Sequence, residues 1–250
     1  MLLPVAIPFP KRKVSRATAR EELAILERTY PNAVTALQYR NAFELLVAVV
    51  LSAQTTDARV NLTTPSLFAR YPDPDALAAA EPAEVERLIK SCGFYRVKTK
   101  NIIGAAQALV GEHGGRVPSE RGALEALPGV GRKSANVVMS VAFAEAALAV
   151  DTHVFRVAHR LGLTLATTPR GVEDDLTALV PREQWRHAHH WLILHGRAIC
   201  KAPVPHCERC PVTMCPSRRI VARELGARIA AGRGRPSAPG AAVRRPRRSS

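Results

Sequence analysis

The chain has 250 residues, 47% of them hydrophobic, with a net charge of +15 at neutral pH and an isoelectric point near 10.5. That length builds one large globular domain or two small ones, and the apolar content excludes an intrinsically disordered chain. Nine of the fifteen net positive charges fall on residues 217–250, a distribution that points to a polyanionic partner.

Residues 1–16 read as a flexible arm. Its apolar run precedes its charges and is cut by three prolines in ten residues, so it makes a poor secretion signal. No apolar run reaches the roughly 18 residues of a membrane span. Both features predict a soluble, cytoplasmic protein. Thr18–Tyr30 is amphipathic, with Leu23, Ile25 and Leu26 apolar. Asn41–Ala53 is almost wholly apolar behind a candidate N-cap, Asn41, and predicts a buried helix. It runs into the polar break Gln54-Thr55-Thr56, after which Asp57 can cap a helix over Ala58–Tyr71. Pro82–Cys92 and Lys98–Glu112 are helical, separated by the apolar knob Gly93-Phe94-Tyr95 with Arg96, Lys98 and Lys100 beside it. An aromatic among cations can wedge into a base stack, although an isolated Phe-Tyr pair more often packs into a core.

The next stretch organises the rest. Leu127-Pro-Gly-Val-Gly-Arg-Lys133 separates a helical segment, Ser119–Ala126, from another that begins at Arg132. Pro128, Gly129 and Gly131 predict a tight hairpin between two helices, with free N–H groups at the second helix's start that suit a phosphate. Lys133 falls in that helix's first turn, where the helix dipole, Arg132 and a dry site all disfavour the protonated amine and favour a nucleophile. Asp151 follows an apolar run and precedes a helical pattern, which is an N-cap position. If the helix stops near Val141 it has run roughly 12 Å from Lys133. The nine residues 142–150 can span up to about 30 Å, enough to bring Asp151 back to the same cleft.

Gly171–Val180 and Pro181–Arg197 predict two further helices, the second carrying His187, His189, His190 and His195. These histidines lack the spacing of a zinc protease and read as structural or phosphate-facing. Four of the five cysteines, Cys200, Cys207, Cys210 and Cys215, crowd into 16 residues, a metal-site pattern. Zinc and a [4Fe–4S] cluster both accept four thiolates, and spacing alone slightly favours zinc as the commoner ion. Cys92 reads as an inert buried thiol. The whole pattern predicts an all-α fold of roughly ten helices ending in a basic, disordered tail over 217–250.

Taken together, Leu51-Ser-Ala-Gln-Thr-Thr-Asp57, the Leu127–Lys133 hairpin, Val150-Asp-Thr-His-Val-Phe-Arg156, His190-Trp-Leu-Ile-Leu-His-Gly-Arg197 and the terminal cysteines resemble the endonuclease III family of DNA glycosylases with AP lyase activity, in the helix-hairpin-helix superfamily. The likeness covers roughly residues 17–216. It implies two helical domains flanking a DNA-binding cleft: a six-helix domain over 35–145, and a second over 17–34 plus 146–216 that holds an iron–sulfur cluster. The resemblance, not the spacing, selects [4Fe–4S] over zinc. It implies Lys133 as nucleophile and Asp151 as catalytic carboxylate, with DNA contacts from Gln54, Phe94, Gly129, Val130, Gly131, Arg132 and His153. It also implies a monomeric bacterial enzyme of base excision repair, associated with the nucleoid, that acts on double-stranded DNA carrying oxidised pyrimidines or abasic sites and cleaves the strand by β-elimination. Two departures stand out: Phe94 where leucine is frequent, and a last cysteine gap of four residues where five is usual. A monofunctional mismatch or alkylated-base glycosylase and a non-catalytic DNA-binding module are the rival readings. Lys133 argues against the first, and Lys133 with Asp151 against the second.

Overall fold

In a computed structural model describing residues 7–233, the chain is all-helical: twelve α-helices, two single 3₁₀ turns and no strand among the described residues. The helices are α1 (Arg16–Thr29), α2 (Ala42–Leu51), α3 (Asp57–Arg70), α4 (Pro74–Ala78), α5 (Pro82–Ile89), α6 (Tyr95–His113), α7 (Arg121–Ala126), α8 (Arg132–Ala142), α9 (Thr152–Arg160), α10 (Pro169–Leu179), α11 (Trp185–Ala198) and α12 (Pro216–Arg233).

Local chemistry accounts for most boundaries. Asn41 caps α2 by accepting the Glu44 N–H at 2.9 Å. Thr56, not Asp57, caps α3, through its hydroxyl to the Arg59 N–H, and this leaves the Asp57 carboxylate free for a distant partner. The short helix α4 carries no long apolar stripe and escapes a periodicity reading. Asp73 caps it and Pro74 opens it, so α2–α8 number seven helices where six are expected.

Buried apolar side chains form two cores. One gathers α2 to α8 around α2, buried from Phe43 to Leu51, with Leu45, Leu46, Leu51, Leu67, Ile102 and Leu109 at its centre. The other packs α1, α9, α10 and α11 around Leu26, Val154, Leu161, Leu176 and Leu192. Two connections cross between them. Along 30–41, Ala33 sits in the second core and Leu37 in the first. Along 147–150 the side chains alternate, with Leu148 and Val150 entering the second core and Ala149 the first. This is the period of an extended strand pressed between two apolar masses.

Toward each end, the described residues depart from expectation. The described part of the N-terminal arm is not loose: Ile7 is buried, Phe9 stacks on His159 with ring centroids 4.8 Å apart, and Lys13 pairs with Asp175 at 2.7 Å. At the other end, α12 continues to Arg233 through the first half of the stretch expected to be disordered. Pro216 opens it, Val221 is buried, and its composition of Ala, Arg, Leu and Ile favours helix. Residues 234–250 of that basic tail lie outside the described residues.

Candidate active site

The hairpin forms between α7 and α8. Leu127 and Val130 are buried and anchor it, while Pro128, Gly129 and Gly131 face solvent. Gly129 has φ +78°, and a Cβ there would stand 2.7 Å from the Asn101 side chain, so only glycine fits between turn and α6. Two of the expected contacts are altered. The Val130 N–H is taken by the Leu127 carbonyl at 3.0 Å, and its side chain is inside. The Arg132 guanidinium is engaged by Glu173 of α10 through Nε and Nη2, both at 2.8 Å. What the hairpin offers a ligand is therefore the backbone around Gly129 and Gly131 and the first amides of α8, not the Arg132 charge.

Lys133 and Asp151 line one cleft of about 620 Å³ between the two cores. Val34–Leu37 from one crossing and Ala149 from the other line it too, with His189, His190 and Arg197 of α11. Burial pushes the Lys133 amine below the ordinary lysine range, while Asp151 and then Asp57 pull it back up. Water still reaches Lys133 through the open mouth, so its desolvation is partial. Asp151 caps α9 by accepting the Val154 N–H at 2.8 Å, so its carboxylate sits on the positive end of a helix. Asn136 lies one turn beyond Lys133. It is fully buried, donates to the Leu148 carbonyl at 2.8 Å and accepts from Arg121 at 2.6 Å. It thus ties the extended segment that leads to Asp151 back onto α8.

Sequence reading missed several neighbours. Asp57 of α3 pairs with Arg197 of α11 at 2.7 Å, bridging the two cores beside the amine. His189 and His190 wall the cleft with rings 4.0 Å apart, and burial drives both well below the usual histidine range, His190 to about 4. They are neutral cleft walls rather than phosphate-facing cations. His153 is half-buried, with Nδ1 3.1 Å from Arg156 Nη2, and burial lowers its pKa. Gln54 and Phe94 lie on adjoining turns, and both are in the left-handed region, at φ 53° and 57°. Phe94 is 64% exposed and does not pack into the core.

The four terminal cysteines line a second cavity, about 350 Å³, with His195, Arg160 and Arg218. All five cysteines of the chain are free, and Cys92 is buried apart from the rest. Among the described residues no three His, Cys, Asp or Glu side chains converge closely enough to grip one ion. The thiols surround a volume rather than a point. Burial raises Cys207, Cys210 and Cys215, the last to about 12, so these sulfurs need a positive centre to become thiolates. Arg160 Nε, Arg218 Nη1 and Ser217 Oγ are buried polar atoms without protein partners in residues lining the same cavity. Such donors suit sulfide or thiolate acceptors, so the residues fit a polynuclear iron–sulfur group. Arg160 also fixes the start of the cysteine loop through the Lys201 and Pro203 carbonyls, at 2.6 and 3.0 Å.

Residues 47–182 match the HhH-GPD superfamily of base excision DNA repair proteins. An endonuclease III of Synechocystis sp. is 50% identical over 82% of this chain and 94% of its own. The chain belongs to the endonuclease III family. The endonuclease III of Escherichia coli K12 is 44% identical over 79% of this chain and 93% of its own. A trapped endonuclease III–DNA covalent intermediate superposes with a TM-score of 0.80 and 44% identity, covering 82% of this chain and 98% of that one. Membership makes the protein a DNA glycosylase with AP lyase activity, and the cleft described above is where its chemistry is to be sought.

Proposed function

We propose that the protein excises oxidised pyrimidines from double-stranded DNA through a Schiff base on Lys133 and then cuts the strand by β-elimination. The observation that carries this reading is the pairing of a partly desolvated amine and a helix-capping carboxylate across one cleft. A base stacked in a duplex cannot reach the Lys133 amine, so the nucleotide must rotate out into the cleft. The amides around Gly129, Gly131 and the start of α8 hold a backbone phosphate. Gln54 and Phe94 enter the vacated stack. Val130 and Arg132 shape the hairpin from within, and His153 is the second residue of α9, the helix that Asp151 caps.

The neutral Lys133 Nζ attacks C1′ as the bond from C1′ to the base nitrogen breaks, and the base leaves with that electron pair and takes up a proton. Asp151 stabilises the positive charge that develops on the sugar and assists the proton transfers. Ring opening gives an imine between Lys133 and C1′. Loss of a C2′ proton then expels the 3′ phosphate, breaking the C3′–O3′ bond. Cys200, Cys207, Cys210 and Cys215 would hold a [4Fe–4S] cluster, which when bound would supply a cross-link that steadies the loop carrying Lys201 and His206 for contact with the DNA backbone. The protein acts as a monomer on lesion-bearing or abasic DNA in the bacterial cytoplasm. Among the described residues no helix is long and apolar enough to cross a membrane.

Borohydride trapping on a duplex with one thymine glycol tests the reading. Wild-type protein is expected to form a covalent adduct and Lys133→Gln to form none while still binding the duplex. Base release without an adduct would instead make the enzyme monofunctional.

A further inference from the structure

The two residues assigned to the vacated stack share an unusual backbone. Among the described non-glycine residues only Gln54, Phe94 and Ala144 have positive φ. A left-handed conformation in a side-chain-bearing residue costs on the order of 1–2 kcal/mol, and it persists only where the surroundings enforce it. The two turns abut: a Cβ placed on Gly93, next to Phe94, would lie 3.7 Å from the Gln54 carbonyl. Phe94 opens α6 without a side-chain cap. Something else must hold the pair.

Lys98 meets that need. It lies on the first turns of α6, where its own N–H donates to the Phe94 carbonyl at 3.1 Å. Its side chain turns inward and is only 4% exposed. Nζ donates to the Leu51 carbonyl and to the Thr55 hydroxyl, both at 2.8 Å. These two acceptors bracket Gln54. Leu51 is the last residue of α2, so the ammonium also sits on the negative end of that helix. A buried lysine without a carboxylate partner is uncommon, and burial lowers its pKa, so its retention here calls for a structural demand. The Thr55 N–H to Ser52 carbonyl bond at 3.1 Å closes the same turn from its other side.

We propose that Lys98 is a positioning residue for base extrusion: it staples the Gln54 turn to the start of α6, so that Gln54 and Phe94 enter the base stack as one rigid, two-pronged wedge. The inference rests on the glycosylase reading above and deepens it. Lys98 does not line the cleft that holds Lys133. It acts by keeping two strained turns in the conformation that DNA requires, so that binding energy is not diverted into ordering them.

The test compares two single-turnover rates for each protein: excision of thymine glycol from a duplex, and cleavage of an abasic site in a single strand, where no base pair has to be opened. A 2-aminopurine beside the lesion reports unstacking. The variants are Lys98→Met, which keeps the stem and removes the charge, and Thr55→Val, which removes one acceptor and spares the buried lysine should the first variant fail to fold. The ratio of duplex to single-strand rate is expected to fall roughly tenfold or more in Lys98→Met and several-fold in Thr55→Val, with slower unstacking in both. A general folding defect would lower both rates together. An unchanged ratio in the variants, with an active wild type, overturns the assignment of Lys98 alone. A wild type inactive on both DNAs overturns the glycosylase reading and this inference with it.

Discussion

Two lysines in this chain show how environment rather than residue type sets a role. Lys133 stands in an open cleft with Asp151 and Asp57 in its field, so its amine is only partly desolvated and can meet a substrate. Lys98 is sealed, and both of its recorded acceptors are neutral oxygens of the protein itself. A third titratable residue, Glu22 of α1, is fully buried with both carboxyl oxygens unpartnered, and burial, then Glu21, raises its pKa to about 8. Below about pH 4.5 the folded and unfolded chains both carry this proton and there is no penalty. As pH rises toward 8 the unfolded state ionises while the folded state keeps its proton, so stability falls through that window and then levels. Glu22→Gln is expected to flatten this slope and to raise neutral-pH stability by roughly 1–3 kcal/mol, measured as denaturant midpoints across pH 4–9.

At the scale of elements, the site is built from helix ends. The first turn of α8 presents Lys133, the cap of α9 is Asp151, and the end of α2 feeds the Gln54 turn. Each end was locally legible because prolines, glycines and caps mark where helices stop. Asp151 has two duties that one substitution separates. Asn caps a helix about as well as Asp but carries no charge. Asp151→Asn is therefore expected to change stability by less than about 1 kcal/mol while slowing base excision by roughly a hundredfold or more. Near-normal excision would reduce Asp151 to a cap.

At the scale of the whole molecule, two cores are held across a cleft by two crossings, the second of them buried, and by ion pairs. Glu173 of α10 binds Arg132 through two bonds at 2.8 Å and Arg121 at 3.2 Å, joining the hairpin to the second core. Burial pushes this carboxyl up, but the bonds from Arg132 outweigh it and the net shift is downward. Its stabilising contribution is thus present above the unfolded value near 4.5 and is lost as pH falls through the lower folded value. Glu173→Ala leaves two guanidinium groups short of a partner and is expected to cost about 3 kcal/mol, read by chemical denaturation at pH 7. The variant should also lose part of the acid sensitivity of the wild type.

The residue order alone determined the helical class, most helix limits, the hairpin, the crowding of four cysteines, and the places of Lys133 in a first turn and Asp151 at a cap. These rest on short-range rules: apolar period, caps, Pro and Gly geometry, and ligand type. Tertiary structure alone decided what meets across distance. That Arg132 spends its charge on Glu173, that His189 and His190 become neutral cleft walls, and that Arg197 answers Asp57 are contacts between residues far apart in the chain, and no local pattern marks them. The short helix α4 and the pinned N-terminal arm were missed for the same reason, because packing rather than periodicity orders them. Lys98 is the clearest case. In sequence it reads as one of three cations flanking an aromatic knob, and only the fold turns it inward beneath Gln54.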